Sequence, residues 1–253
     1  MVRGLINSEM GKNRISAGEK LILALDVSEH SHAIELVDKF KDYVEIFKVG
    51  LELFISSGPR IVEDINKKDK KVFLDLKLHD IPNTVSKAAI AATRLGVHMF
   101  NLHASGGLEM MKRCRDNVVE ICLKENIERP KILGVTVLTS LTREILRDEL
   151  GIQHGVRTHV RHLSGLALKA GLDGVISSAR EAEIVRNHCG RGFLIVTPGI
   201  RPSWTPPDDQ KRTATPKEAV RAGADYLVIG RAVMQQADPL KAIELIALEI
   251  LAA

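Results

Sequence analysis

Short apolar runs alternate with amphipathic stretches along almost the whole chain. Eight runs read as strands: L-I-L-A-L-D (21–26), V-E-I-F-K-V (44–49), K-V-F-L-D-L-K-L (71–78), H-M-F-N-L-H (98–103), K-I-L-G-V-T-V-L-T (131–139), G-V-I-S-S (174–178), F-L-I-V-T-P (193–198) and Y-L-V-I-G (226–230). They are brief and rich in Val, Ile and Leu, as strands buried on both faces are. The stretches between them carry helical spacing. A-I-E-L-V-D-K-F (33–40) would bury Ile34, Val37 and Phe40 on one side, with Ser28 or Ser31 as its cap. Pro59 fits near the start of R-I-V-E-D-I-N-K-K, and Pro82 fits the first turn of a helix containing V-S-K-A-A-I-A-A-T-R-L. P-L-K-A-I-E-L-I-A-L-E-I-L would be a closing outer helix.

Gly96, Gly171 and Gly223 each end a helical segment just before a strand, as a left-handed cap does. Their surroundings resemble one another: R-L-G-V-H-M-F-N-L-H-A, K-A-G-L-D-G-V-I-S-S-A and R-A-G-A-D-Y-L-V-I-G-R-A. A chain of βα units would produce that weak repeat. Eight strands alternating with helices in 253 residues predict an α/β fold, a (β/α)8 TIM barrel in a single domain. The competing architecture is an open doubly wound sheet, but no G-x-G-x-x-G follows the first strand. Residues 1–20 read as an N-terminal extension and 21–253 as the barrel.

Composition narrows the class. The balance of 45% hydrophobic and 27% charged residues is that of a soluble globular protein. A net charge of +4 is too slight to make nucleic acid the default partner and suits a small anionic substrate. The three cysteines, Cys114, Cys122 and Cys189, have no metal-ligand spacing and read as free thiols of a reducing compartment. No run approaches the ~18 apolar residues of a membrane span, and the N-terminus lacks the apolar core of a signal peptide. A cytoplasmic protein with no membrane association is expected.

In a barrel, functional groups gather where strands end. Asp26 ends the first strand, Lys48 lies late in the second, and Asp75 and Lys77 lie late in the third. Thr139 ends the fifth, Arg201 follows the seventh, and Gly230-Arg231 ends the eighth. Two residues apart, Asp75 and Lys77 would share a face about 6–7 Å apart, with Leu74, Leu76 and Leu78 turned to the helix layer. Lys48 beside Asp75 would complete a Lys–Asp–Lys row. A structural ion-pair plug is the plainer reading of such a row. The loops after strands 7 and 8 commonly bind phosphate, which Arg231 suits. The polar, proline-rich segment 201–216 is long for a βα connection and reads as a lid. His79 and His103 read as packed or hydrogen-bonded, and no His, Cys and carboxylate cluster has metal spacing, so a metal-free site is expected.

The stretch D-L-K-L-H-D-I-P-N-T (75–84) closely resembles the signature of the orotidine 5′-phosphate decarboxylase family. L-A-L-D (23–26), F-K-V-G (47–50), V-T-V-L-T-S (135–140), T-P-G-I-R-P (197–202) and V-I-G-R (228–231) follow the family's order, leaving only the segment before Leu21 outside. The resemblance implies a (β/α)8 homodimer with shared active sites and no metal or organic cofactor, acting on orotidine 5′-phosphate. It implies that Lys48, Asp75, Lys77 and Asp80 form a charged array, Asp80 reaching the partner subunit's site. Asp26 and Lys48 would contact ribose hydroxyls, and Thr139 the pyrimidine. Gln210, Gly230 and Arg231 would hold phosphate with Arg201 close by, and Ile81 and Thr84 would complete the site from the second subunit. Lys77, flanked by two aspartates, would protonate C6 of the ring. Two alternatives stand beside this: a magnesium-dependent decarboxylase of 3-keto-L-gulonate 6-phosphate, which shares Asp-x-Lys-x-x-Asp but not the L-H-D-I-P-N-T continuation, and a non-catalytic barrel that binds a phosphorylated metabolite.

Overall fold

Each apolar run becomes a strand of one closed parallel sheet. The computed structural model describes residues 17–205 and 213–253. The strands are β1 (Leu21–Leu25), β2 (Ile46–Gly50), β3 (Lys71–Leu78), β4 (Met99–His103), β5 (Lys131–Val135), β6 (Gly174–Ile176), β7 (Leu194–Thr197) and β8 (Tyr226–Ile229). They pair in sequence order, and β8 closes on β1 to complete the predicted barrel. Two apolar cores result. Ile22, Ile46, Phe73, Met99, Leu133 and Val196 are among the side chains that fill the barrel itself. A larger annulus holds the sheet to the surrounding helices, with Phe40, Phe47 and Phe100 fully buried in it. Coverage on both faces explains why β1 is buried at every position.

The helices start where local chemistry lets them. Pro82, Pro216 and Pro239 each open a helix, where their missing N–H is no loss. Thr215 and Glu218 form a reciprocal capping box, the Thr215 N–H donating to Glu218 Oε2 (2.8 Å) and the Glu218 N–H to Thr215 Oγ1 (3.2 Å). The helix His30–Phe40 departs from expectation. Its N-cap is Glu29, without a side-chain cap. Ser31 lies inside the helix, and the Ser28 hydroxyl is drawn away to the Glu52 carboxylate. Its buried stripe is Ala33, Val37 and Phe40, and Ile34 is only half-buried. The turn Ala17–Lys20 precedes β1, with Ala17 buried in the outer core. Among the described residues no helix is long and apolar enough to cross a membrane.

The weak repeat has a physical basis. Gly96, Gly171 and Gly223 all have φ in the left-handed region, at 72°, 78° and 103°. Two residues later, the backbone N–H groups of His98, Asp173 and Asp225 donate to the carbonyls of Val72, Ile132 and Ile195 on the preceding strand. The carboxylates of Asp173 and Asp225 then accept the backbone N–H of Ile132 (2.8 Å) and Ile195 (2.7 Å). Each also takes an arginine, Arg129 (2.9 Å) and Arg186 (2.7 Å) respectively. These carboxylates stitch neighbouring strands at the end of the barrel opposite the strand-end charges.

His98 stands where the other two repeats have Asp. Burial pushes its imidazole down to about 4 from an ordinary 6.5, and Lys71 and Lys131 add to the effect. The unfolded chain therefore takes up this proton first as pH falls. The stability involved is intact above about pH 6.5 and is lost as pH drops toward 4. Urea midpoints measured between pH 7 and pH 5 should fall less for His98→Asn than for the wild type; parallel falls would remove His98 as a cause.

Candidate active site

The strand ends of β1, β2 and β3 bring four charges into one chain of contacts. Asp26 follows the last residue of β1. Lys48 lies level with the inward-facing Ala24 and Phe73 of its neighbours. Its ammonium sits 3.1 Å from Asp26 Oδ1 and 3.5 Å from Asp75 Oδ2. Lys77 Nζ lies 2.7 Å from the other Asp75 oxygen. Burial grades along the row: the side chains of Lys48 and Asp75 are 11% and 12% exposed, that of Lys77 31% and that of Asp26 56%.

Asp75 is the electrostatic centre. Burial alone would raise its proton affinity. Lys48, then Lys77, and the hydrogen bonds from Lys77 and Asn101 outweigh burial and hold the carboxyl below its ordinary range. The carboxylate is thus the stable form, and both ammonium groups favour it.

β3 does not reach this arrangement as a regular strand. The pairing of β3 with β4 runs Phe73 with Met99 and Leu74 with Phe100, then jumps to Leu78 with Leu102. Four residue steps of β3 are set against two of β4, a bulge. Within it Lys77 adopts a left-handed φ of 52°, which for a side-chain-bearing residue costs on the order of 1–3 kcal/mol. Leu76 and Leu78 still pack on the outer core, as the alternation predicts. Leu74, Leu76, Leu78 and Phe100 also line a largely apolar cavity of about 320 Å³ behind the strand, with Asn101 on its wall and no ionisable group there among the described residues.

Two cavities open on the charged side. One, about 180 Å³, is lined by Asp75, Lys77, Thr139 and Ser177 among others. The second, about 130 Å³, has Asp26, Arg201, Gly230 and Arg231 on its wall. Lys48, Pro198 and Val228 line both, so they are two halves of one cleft. One half carries the ion-pair row and the other carries two guanidinium groups. Space at Gly230 is tight: a Cβ would stand 3.0 Å from Asp26 Oδ2 and 3.3 Å from Ala24 Cβ, so a side chain there would push on the Asp26 carboxylate.

The chain matches the family model described as "Orotidine 5'-phosphate decarboxylase / HUMPS family" over residues 19–246. It belongs to that family. Curated relatives named orotidine 5′-phosphate decarboxylase include one from Geobacter metallireducens, 51% identical over 94% of this chain and 99% of its own length. Another, from Trichlorobacter lovleyi, is 52% identical over 94% and 98%. The solved orotidine 5′-phosphate decarboxylase of Lactobacillus acidophilus is 35% identical, covers 92% of this chain and 99% of its own, and superposes with a TM-score of 0.80.

Of the site residues expected from the resemblance to the decarboxylase family, Asp26, Lys48, Asp75, Lys77, Thr139, Arg201, Gly230 and Arg231 meet around the cleft. Thr139 does so from a loop, since β5 stops at Val135. Beyond it, the Thr136 N–H and hydroxyl both turn to the Ile176 carbonyl, at 3.2 and 2.8 Å. Asp80, Ile81 and Thr84 do not line the cleft of their own chain. All three are exposed, and Asp80 Oδ1 accepts the Ile81 N–H at 2.6 Å. Gln210 lies outside the described residues, as does the middle of the 201–216 loop. The ends of that loop are tied together, Arg201 N–H to the Ala214 carbonyl (2.8 Å) and Ala214 N–H to Gly199 (3.3 Å).

His79 and His103 lie with ring centroids 5.1 Å apart, and burial, with His79 and Lys77 adding, lowers the proton affinity of His103. Cys114 and Cys122 are buried in the helix Gly107–Glu125. Two polar residues went unnoticed in the sequence. Asn101 is fully buried at an inward position of β4, beside Leu133 of β5. Ser177 is buried on the cleft wall with a hydroxyl that has no partner among the described residues. The period of two along M-F-N-L-H, which turns Met99, Asn101 and His103 to one side, was the available signal for Asn101.

Replacing Lys48 with Met should raise the pH at which the Asp75 carboxyl titrates, read by carboxyl 13C chemical shifts. An unchanged midpoint would mean that Lys48 does not hold Asp75 ionised.

Proposed function

We propose that this chain decarboxylates orotidine 5′-phosphate to UMP and CO2, the last step of de novo pyrimidine synthesis. The two-part cleft carries the reading: a pair of arginines at one end and a partly buried Lys–Asp–Lys row at the other, with Lys48 bordering both. A substrate with a phosphate at one end and a carboxylated ring at the other matches that distribution of charge.

The chemistry follows from the row. The bond from C6 to the carboxylate breaks, CO2 departs, and the electron pair stays on C6. That pair lies in the ring plane, where no conjugation relieves it. The Lys77 ammonium beside it stabilises the developing negative charge and then transfers a proton to C6, leaving a neutral amine that solvent reprotonates. Asp75 orients that ammonium at 2.7 Å and stands against the departing carboxylate. Asp26 and Lys48 would take the ribose hydroxyls and Thr139 the pyrimidine, with Gly230, Arg231, Arg201 and Gln210 on the phosphate. Binding energy from the phosphate is then available to order the site, so a substrate lacking it loses turnover as well as affinity.

In this reading the active form is a homodimer. The exposure of Asp80, Ile81 (66% exposed) and Thr84 at the start of the helix Pro82–Arg94 supports their reaching a partner's cleft. The free cysteines and a nucleotide-precursor substrate fit a cytoplasmic enzyme.

The ultraviolet absorbance change of orotidine 5′-phosphate tests the reaction directly, and no change with purified protein would refute it. Chelation with EDTA should leave the rate unaltered; loss of activity would favour the magnesium-dependent alternative. Lys77→Ala should lower turnover by about 10³-fold or more while UMP still binds. A barrel that only senses a phosphorylated metabolite would bind ligand and turn nothing over. Mixing Lys77→Ala with Asp80→Ala protein should restore part of the lost activity through hybrid dimers, and a mixture as inactive as its parts would count against shared sites.

A further inference from the structure

We infer that Asn101 is the positioning residue that sets the Lys77 ammonium against Asp75; the inference rests on the decarboxylase reading of Lys77. In the pairing of β3 with β4, Asn101 is the one residue between Phe100 and Leu102, and it faces the whole of Asp75–Lys77. Its side chain closes the bulge on both sides. The amide nitrogen donates to Asp75 Oδ1 at 2.6 Å, and the amide oxygen accepts the Lys77 backbone N–H at 2.7 Å. The orientation of the amide is unambiguous, because a carboxylate only accepts and a backbone N–H only donates.

Three observations make this a requirement of the site. First, the left-handed Lys77 has left the β3–β4 ladder, and its N–H would otherwise be a costly donor without a partner. Second, the Asp75 oxygen that takes Asn101 is the same one that takes the Lys77 ammonium. The amide therefore fixes the direction of the carboxylate that aims the ammonium. Third, packing behind the bulge is incomplete: Leu76 and Leu78 touch the outer core but, with Asn101 itself, also border the 320 Å³ largely apolar cavity. The two hydrogen bonds of a single fully buried amide supply the rest of the hold. No other side chain of this size offers a separate donor and acceptor without charge at neutral pH, where an aspartate is ionised.

The charged and titratable groups around the amide are Asp75 and Lys77 on β3, Lys48 on β2 behind Asp75, and His103 along β4 with the His79 ring tilted against it. This sets a test that a merely structural residue would not meet. Asn101→Ala should lower kcat by about 10²-fold with KM nearly unchanged, since misplacing a reacting group affects the transition state more than ground-state binding. Asn101→Asp should show a pH-dependent loss. Ionised, it repels Asp75; protonated, it regains an O–H donor for Asp75 and keeps a carbonyl for the Lys77 N–H. The ratio of its kcat to that of the wild type should therefore climb as pH falls.

Wild type, Asn101→Ala and Asn101→Asp are to be assayed together on orotidine 5′-phosphate across pH, with UMP binding as a check of the folded cleft. A wild type without turnover overturns the decarboxylase reading. An active wild type with Asn101→Ala close to its kcat overturns the role of Asn101 alone. If Asn101→Ala does not fold, the Asn101→Asp profile decides: a ratio climbing toward low pH supports the inference, and a flat ratio overturns it.

Discussion

A carboxylate buried to the depth of Asp75 is stable only in company. Its two oxygens are shared among two ammonium groups and an amide, at 3.5, 2.7 and 2.6 Å. Removing water from that carboxylate costs several kcal/mol before any pairing is counted. The arrangement survives because every partner arrives from a different strand or a different point of the bulge: Lys48 from β2, Lys77 from β3, Asn101 from β4. The site thus depends on the pairing of three neighbouring strands, and the bulge in β3 is tied to the site.

The two ends of the barrel use carboxylates differently. At one end, Asp173 and Asp225 accept backbone N–H groups from the preceding strands and are held by arginines, so their charge is consumed in fastening one strand to the next. At the other end, Asp26 and Asp75 pair with lysines whose ammonium groups also border an open cleft. There the pairing leaves the cations able to meet an anion from outside. Strain follows the same division. The repeat glycines take left-handed backbone without penalty, whereas Lys77 takes it with a full side chain, at the point where the ammonium must enter the cleft.

The eight strands were legible because a strand buried on both faces has little choice but Val, Ile and Leu, and those runs matched the observed strands within a few residues. β5 shows the limit: V-T-V-L-T continues its pattern, but pairing with β6 stops at Val135 and Ile176, and the strand ends there. The cap of the helix His30–Phe40 was misjudged for a similar reason. Ser28 has the right chemistry for a cap, but Glu52, distant in sequence, offers it a charged acceptor. Asn101 was passed over because a lone amide in an apolar strand carries no motif, and its partners lie 24 and 26 residues away.

By itself the sequence determined the barrel, the order of its strands and the identity of the charges at their ends, because periodicity and residue type are local properties. It also determined the family, through D-L-K-L-H-D-I-P-N-T and the motifs in order around it. Only the tertiary structure decided which charges touch. The row Asp26–Lys48–Asp75–Lys77 is set by the register of three strands and a two-residue slip between β3 and β4. The same slip turns the Lys77 N–H to the Asn101 side chain. Hydrogen bonds and ion pairs form between atoms a few ångströms apart, and which atoms those are is a matter of register that no single strand specifies.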